Sequence, residues 1–166
     1  MTQESKVINT FSGKYSFLSN FYPVEIYYKG FVFPSVEHAY QSQKSDDPEF
    51  WRKIASLPAK QAGLAKRLGK NVKRVIDWDN KRVEIMKELI LKKFSSGYLK
   101  YKLHETKGYK LIEGNWWHDN FWGDCSCEKC KNIVGNNILG ILLMSIRDNT
   151  SPVVTLRSLE TNIKIL

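Results

Sequence analysis

The chain has 166 residues, of which 42% are hydrophobic and 26% charged, a composition that excludes a disordered protein and suffices for one ordinary core. Its net charge of +9 indicates an anionic partner, either a phosphorylated small molecule or a nucleic acid. The longest apolar run, residues 138–146, is too short to cross a bilayer, and the polar N-terminus lacks a signal-peptide layout. We therefore expect a cytoplasmic protein without a membrane partner.

Short strands are predicted near the N-terminus. Residues 7–11 favour a first strand, which a turn at residues 12–14 follows. Residues 24–28 and 31–33 flank Lys29-Gly30, a pattern typical of a hairpin. These segments predict a small antiparallel sheet.

Helix starts are marked by capping residues. Ser35 is suited to cap a helix that begins directly after it, and Asp47 followed by Pro48 predicts a second helix start. A third helix is expected to begin at residues 56–58 and to end at Gly69, because glycine commonly terminates helices.

The longest predicted helix covers residues 78–95, with Asp77 as its cap. Its apolar residues recur at steps of three and four, which predicts one buried stripe. The stripe consists of Val83, Met86, Ile90 and Phe94.

The C-terminal part mixes regular and irregular segments. A helix over residues 98–106 and a strand over 109–113 precede an aromatic-rich loop at 115–132. Residues 135–147 are apolar on most sides and predict a buried last helix. Together the elements predict an α+β fold, a mostly helical single domain with a small antiparallel sheet.

Four segments combine aromatic rings with ionisable or amide side chains. They are residues 17–23, 33–41, 76–78 and 116–124. Aromatic-rich loops often form the walls of a pocket for a planar ligand. A carboxylate among such rings loses hydration, which raises its pKa and suits it to general acid or base chemistry.

These segments carry an ordered set of motifs across residues 8–148. They are Phe17-Leu18-Ser19-Asn20-Phe21, residues 34–44 from Pro34 to Lys44, Ala65-Lys66-Arg67-Leu68-Gly69, Asp77-Trp78, Lys93-Phe94, Asn120-Phe121-Trp122-Gly123, and residues 135–144 from Gly135 to Met144. The set closely resembles the NADAR family, also called YbiA-like. Each motif alone is weakly specific, but their shared order makes a chance match a poor explanation.

The resemblance implies a catalytic domain over residues 1–149. It does not extend to residues 150–166, which we expect to form a C-terminal tail docked on that domain. It also implies hydrolysis of an N-glycosidic bond, with Glu37 as the family glutamate. The family's other important positions match Trp78, Asp119 and Trp122. No cofactor is implied.

The implied chemistry explains these residue types. Departure of a base from C1 of ribose passes through an oxocarbenium-like state, which a carboxylate stabilises. We assign this role, and activation of the attacking water, to Glu37. Asp119 is expected to act as a second catalytic carboxylate that orients ribose hydroxyls or assists the leaving group.

Six further residues are expected to bind the substrate. Trp78 and Trp122 would stack on the base or cover the sugar, and Lys44 and Arg67 would hold a phosphate. Ser19 and Asn20 would supply polar anchors at the pocket mouth.

Each assignment has a structural alternative. Glutamate in a first helical turn, as at Glu37, complements the helix dipole by roughly 0.3–1 kcal/mol without any catalysis. Asp119 fits a turn, Trp78 a core position, and the lysines and Arg67 solvated helix faces. His38, beside Glu37, is expected to be a packed or surface residue rather than a base.

The three cysteines are clustered at Cys125, Cys127 and Cys130, a poor disulfide framework that agrees with a reducing compartment. Three thiolates can bind zinc, but a structural site needs a fourth ligand. His104 or His118 could provide it, although neither stands at a diagnostic spacing. The family chemistry needs no metal, so none is predicted; zinc, if bound, would stiffen the loop.

Three functions stay open. The first is an N-glycosidase acting on a ribosylaminopyrimidine phosphate of the riboflavin-biosynthesis type, with release of ribose phosphate. The second is removal of ADP-ribose from a modified nucleobase in DNA or RNA, which the basic charge favours. The third is a non-catalytic module that binds ADP-ribose or nucleic acid.

Overall fold

A computed structural model describes residues 6–152, which fall into two compact units. The central unit spans Ser19–Lys100, and the terminal unit joins the chain up to Leu18 to the chain from Tyr101 onward. Most of the predicted tail, residues 153–166, lies outside the described residues.

Short strands and six α-helices make up the regular structure of residues 6–152. The strands are β1 (Lys6–Ile8), β2 (Ile26–Tyr28), β3 (Phe31–Phe33), β4 (Tyr109–Leu111), β5 (Gly114–Asn115) and β6 (Asp124–Cys125). The helices are α1 (Val36–Ser42), α2 (Pro48–Ala55), α3 (Ala62–Asn71), α4 (Trp78–Lys93), α5 (Gly97–His104) and α6 (Ile138–Asp148). Two 3₁₀ turns cover Gly13–Leu18 and Ala59–Gln61.

Two capping predictions in the central unit, those at Ser35 and Asp47, are confirmed, whereas the one at Asp77 is wrong because its side chain makes no cap hydrogen bond. Ser35 Oγ accepts a hydrogen bond from the N–H of His38 at 3.3 Å, so the chain enters α1 from extended backbone. Asp47 caps α2 in the same way, accepting from the N–H of Glu49 at 2.9 Å. The hairpin is confirmed as well, since β2 and β3 pair antiparallel.

Helix α1 lies at the centre of this unit. It contacts α2, α3, α4 and both strands of the hairpin. All seven of its residues are buried, including the polar ones. Because water cannot reach their side chains, their hydrogen bonds have to be made within the protein.

The prediction that α3 ends at Gly69 is wrong, because the helix continues to Asn71. Gly69 is needed there for close packing rather than for termination. A Cβ at this position would overlap Gln41 Oε1 of α1. The glycine therefore allows α1 and α3 to approach each other.

Helix α4 begins at Trp78, as predicted, with Asp77 in the N-cap position. The Asp77 side chain makes no cap hydrogen bond, and its φ of 61° is left-handed. In the predicted stripe Met86, Ile90 and Phe94 are buried, whereas Val83 is half-buried.

The terminal unit contains two parallel strand pairs that the sequence does not predict. β1 pairs with β4, placing Ile8 opposite Leu111, and β5 pairs with β6. Helix α6 packs against β4 and buries Leu139, Leu142 and Leu143, which confirms the buried last helix. It begins at Ile138, three residues later than predicted.

The predicted α+β class, mostly helical with a small antiparallel pair, is confirmed. Within residues 6–152, no helix combines the length and the apolar character that crossing a membrane requires.

The central unit also buries a lysine at the end of α4. Lys93 is 4% exposed and its Nζ donates a hydrogen bond to Ser19 O at 2.6 Å. The ammonium lies 5.4 Å from the ring centroid of Tyr22 and 5.1 Å from that of Phe94. Burial lowers the pKa of Lys93 to about 7.

This burial makes stability depend on pH. Since the lysine titrates near 10.5 when unfolded, the unfolded chain binds more protons than the folded one between pH 7 and 10.5. The free energy of unfolding should therefore rise with pH in this window, by about 1–3 kcal/mol from this group. Urea unfolding at pH 7 and pH 9.5 should show this rise in the wild type but not in Lys93→Met. Lys92→Met, at the exposed neighbouring position, should keep it, and an equal rise in all three proteins would contradict the prediction.

Two glycines of α3 provide a matched test of its packing against α1. Gly69→Ala should lower the free energy of unfolding by about 1–3 kcal/mol, because the new methyl displaces Gln41. A Cβ at Gly63 meets nothing within 4 Å, so Gly63→Ala should raise it by about 0.4–1 kcal/mol. Denaturant unfolding of both variants measures the difference, and similar stabilisation in both would show that α3 does not need Gly69 for its contact.

Candidate functional site

Helix α1 brings the predicted catalytic glutamate together with a second polar side chain. Glu37 is buried, with 6% of its surface exposed, and Gln41 Nε2 donates to Glu37 Oε1 at 2.7 Å. The two residues are one helical turn apart, so their side chains lie on the same face. The hydrogen bond fixes the orientation of the carboxylate.

The backbone before α1 holds the glutamate from the other side. The N–H of Glu37 donates to Asn20 O at 2.9 Å, and Asn20 itself is buried. Asn20 Nδ2 contacts Met86 Sδ at 3.4 Å. Ser19 Oγ accepts from the N–H of Phe21 at 3.1 Å. Both predicted polar anchors thus have structural partners in the segment that supports the first turn of α1.

Two aromatic rings lie close to the end of the same helix. The ring centroids of Tyr40 and Trp78 are 5.2 Å apart, and the planes meet at 52°. Lys44 Nζ lies 5.7 Å from the Tyr40 centroid and 5.9 Å from that of Trp78. Trp78 is 4% exposed, so it is a core residue as well as a neighbour of the predicted phosphate ligand.

Lys44 is surrounded by charges of both signs. Its pKa is lowered chiefly by burial, while the Glu37 carboxylate opposes that shift. Three further cations, Arg74, Lys66 and Lys70, lower the pKa as well. Lys44 thus belongs to a basic group of four side chains, and its own charge interacts with the Glu37 carboxylate.

Arg74, rather than the predicted phosphate ligand Arg67, is the arginine whose charge acts on Lys44. Arg67 lies on an exposed position of α3 and is not among the charges that perturb Lys44. Arg74, which the sequence analysis did not single out, is among them. The N–H of Val75 donates to Lys44 O at 2.8 Å and holds this loop at the end of α1. No sequence motif signals that contact.

The terminal unit carries the other two predicted residues on one loop. Asp119 Oδ1 accepts from the N–H of Trp122 at 2.8 Å and from the N–H of Phe121 at 3.2 Å. Its carbonyl accepts from Asn115 Nδ2 at 2.7 Å. Asp119 therefore organises the turn, and the ring of Trp122 packs edge-on against Phe121 with centroids 4.9 Å apart.

His38 does not belong to the polar face of α1. It is fully buried, and its Nδ1 lies 2.7 Å from Ser35 Oγ. Burial lowers the pKa of His38, and the carbonyl of Pro58 offsets part of this effect. The expectation that His38 is a packed residue is confirmed.

The central unit thus combines three chemical functions. A buried, oriented carboxylate can accept a proton or stabilise positive charge on a sugar. The neighbouring rings can contact a planar or sugar ligand, and the four cations can bind an anion such as a phosphate.

Comparisons with known proteins show similarity along most of this chain. A riboflavin biosynthesis protein of Vibrio vulnificus (strain YJ016) is 36% identical over 137 residues, or 81% of this chain, which spans 35% of that protein. An N-glycosidase of Nostoc punctiforme is 34% identical over 148 residues, covering 86% of this chain and 90% of that protein. The NMR structure of Escherichia coli YbiA superposes with a TM-score of 0.73 at 28% identity, covering 89% of this chain and 86% of that chain.

The family assignment rests on nearly the whole described chain. The model of the NADAR domain matches residues 8–150, the stretch that contains every predicted site residue. The chain spans about a third of the length of the Vibrio relative, but most of the length of the Nostoc protein. This chain therefore belongs to the NADAR domain family.

Proposed function

We propose that this protein is an N-glycosidase that hydrolyses the N-glycosidic bond of a phosphorylated riboside and releases ribose phosphate. The observation that carries the proposal is the buried Glu37 carboxylate beside Lys44 and its group of cations. Family membership and the Nostoc relative named an N-glycosidase support the type of bond. The relative named a riboflavin biosynthesis protein supports a ribosylaminopyrimidine phosphate as the substrate.

Glu37 is the group suited to the chemical step. As the bond from C1 of ribose to nitrogen breaks, positive charge develops on the sugar, and a carboxylate in a poorly hydrated site stabilises it strongly. The same carboxylate can then take a proton from the attacking water. Gln41 donates to Oε1 and so orients the carboxylate for this role.

Lys44 and its neighbours are suited to the phosphate of the substrate. Lysine and arginine bind phosphate through charge-assisted hydrogen bonds, and a dianion relieves the repulsion among clustered cations. Lys44 is half-buried, which strengthens its attraction for the anion. Arg67, which is exposed, is proposed as an outer phosphate contact.

The remaining predicted residues are proposed to shape the substrate site. Trp78 would contact the base or sugar, and Ser19 and Asn20 would position the glutamate. The roles of Asp119 and Trp122, which lie in the terminal unit, stay predictions made from the sequence. Cys125, Cys127 and Cys130 form no disulfide bond, which supports the proposed cytoplasmic location.

ADP-ribose on a nucleobase is the alternative substrate class. The four cations near Lys44 and the net charge of +9 would also suit a nucleic-acid substrate. Both candidate substrates and a non-catalytic binding module are distinguished by one assay. The protein is incubated with a ribosylaminopyrimidine phosphate or an ADP-ribosylated oligonucleotide, and the products are identified by mass spectrometry.

Glu37→Gln should lower kcat for release of ribose phosphate by about 1,000-fold, because the amide neither activates water nor stabilises the oxocarbenium-like state. Glu49→Gln is the matched control, since Glu49 is also in the first turn of a helix but is exposed. It should retain wild-type kcat, which separates a helix-dipole effect from catalysis. Wild-type binding of ADP-ribose without turnover of either substrate would contradict an enzymatic function.

Lys44→Gln should raise KM for the phosphorylated riboside about 10-fold and leave KM for the dephosphorylated riboside nearly unchanged. Lys60→Gln, at an exposed position of the same unit, should change neither value. Steady-state kinetics with both substrates measures the effect. Equal losses with and without the phosphate would assign Lys44 to another part of the substrate.

A further inference from the structure

The cysteine loop of the terminal unit brings four metal-ligand side chains together. They are His118, Cys125, Cys127 and Cys130, and their ligand atoms all lie within 4.8 Å of one another. His118 Nδ1 is 3.1 Å from Cys127 Sγ and 3.5 Å from Cys130 Sγ. The sequence left the fourth ligand open between two histidines, and the fold selects His118.

These distances are close to those of a tetrahedral zinc site. With Zn–S of about 2.3 Å and Zn–N of about 2.0 Å, the ligand atoms of such a site lie roughly 3.5–3.8 Å apart. The four atoms therefore reach zinc geometry by shifts of about 1 Å or less. Three thiolates and one imidazole form a common structural zinc set, whereas hard cations such as Mg²⁺ prefer oxygen ligands.

Backbone N–H groups around the four side chains donate hydrogen bonds to a cysteine sulfur, as is favourable for a thiolate. Cys125 Sγ lies 3.3 Å from the N–H of His118 and 3.5 Å from that of Cys127, and both groups donate to the sulfur. Such hydrogen bonds stabilise the charged sulfur that a metal binds. The Cys125 N–H in turn donates to Asn120 Oδ1 at 2.8 Å.

The conformation of His118 is a second, independent observation. Its φ of 66° lies in the left-handed region, which is unfavourable for a non-glycine residue. The Asn115 side chain supports this bend, since its Oδ1 accepts from the N–H groups of Trp117 and Asp119. The bend directs the imidazole to the sulfurs although most of the residue is exposed.

We propose that His118, Cys125, Cys127 and Cys130 bind one structural Zn²⁺ ion. All four positions of the tetrahedron are filled by protein, so the ion has no open position at which to activate water. The ligands enclose the turn at residues 119–124. His118 directly precedes Asp119, and Cys125 is the third residue after Trp122, so the ion fixes both ends of the segment that carries these two residues.

Metal content is the first test. The full-length protein, purified without a metal-binding tag from zinc-supplemented cells, should contain about one zinc ion per chain. Replacement by Co²⁺ should give the visible absorption of a tetrahedral site and a near-ultraviolet thiolate charge-transfer band. Less than about 0.1 zinc per chain, before and after incubation with Zn²⁺, would overturn the proposal.

Variants test the ligand set. His118→Asn and Cys127→Ser should weaken zinc binding about 100-fold or more in competition with a chromogenic chelator. His104→Asn is the matched control, because it removes the other candidate histidine of the same unit and should bind zinc as tightly as the wild type. Equal affinity in the two histidine variants would exclude His118 as a ligand.

Proteolysis of the wild-type protein gives a measurement that does not depend on variants folding. Lys129 and Lys131 are exposed beside Cys130, so trypsin can reach this loop. Removal of zinc by a chelator should accelerate cleavage after these lysines, and added Zn²⁺ should restore the slow rate. An unchanged cleavage rate would contradict a role of the ion in fixing the loop.

Discussion

The burial of helix α1 is the constraint on which the central unit depends. An isolated ionised carboxylate in a dry interior costs many kcal/mol, so Glu37 persists there only with compensating partners. Gln41 supplies one hydrogen bond, and the charge of Lys44 supplies an attraction. Space for Gln41 in turn requires a glycine at position 69 of α3. A buried polar pair thus determines the packing of two helices.

The burial of α1 also affects the charge of His38. On a partly exposed helix this histidine would titrate near its ordinary pKa and add positive charge beside the glutamate. Complete burial lowers its pKa and favours the neutral form, although the Pro58 carbonyl offsets part of this effect. Because a neutral imidazole neither repels Lys44 nor competes for the carboxylate, the polar face of α1 keeps its charge balance.

Local signals were sufficient to predict many elements from the sequence. The Ser35 and Asp47 caps, the β2–β3 hairpin and the start of α4 depend on residues close together in the chain. Parallel pairing of β1 with β4 depends on contacts a hundred residues apart, for which a single sequence carries no pattern. The prediction at Gly69 fails for the same reason. A single sequence does not distinguish a glycine that ends a helix from one that allows a neighbouring helix to approach.

The residues of the candidate site also differ in how far they could be predicted from the sequence. Glu37, Lys44 and Trp78 were identified through family motifs, and the fold brings them into one region of the central unit. Arg74 and His118 could not be selected, because the first depends on the contact between Val75 and Lys44 and the second on a left-handed backbone bend. Both contributions come from loops, where tertiary contacts rather than local preference determine conformation.

The exposure of the basic group has an evolutionary consequence. Glu37 and Gln41 belong to the core, so substitutions there alter stability and chemistry together. Lys70 and Arg74 are exposed, and surface substitutions usually change stability by about 0.5 kcal/mol or less. Selection can therefore exchange these two cations at little cost in stability, and so change which ligand charges this region attracts, without disturbing the interior that holds the carboxylate.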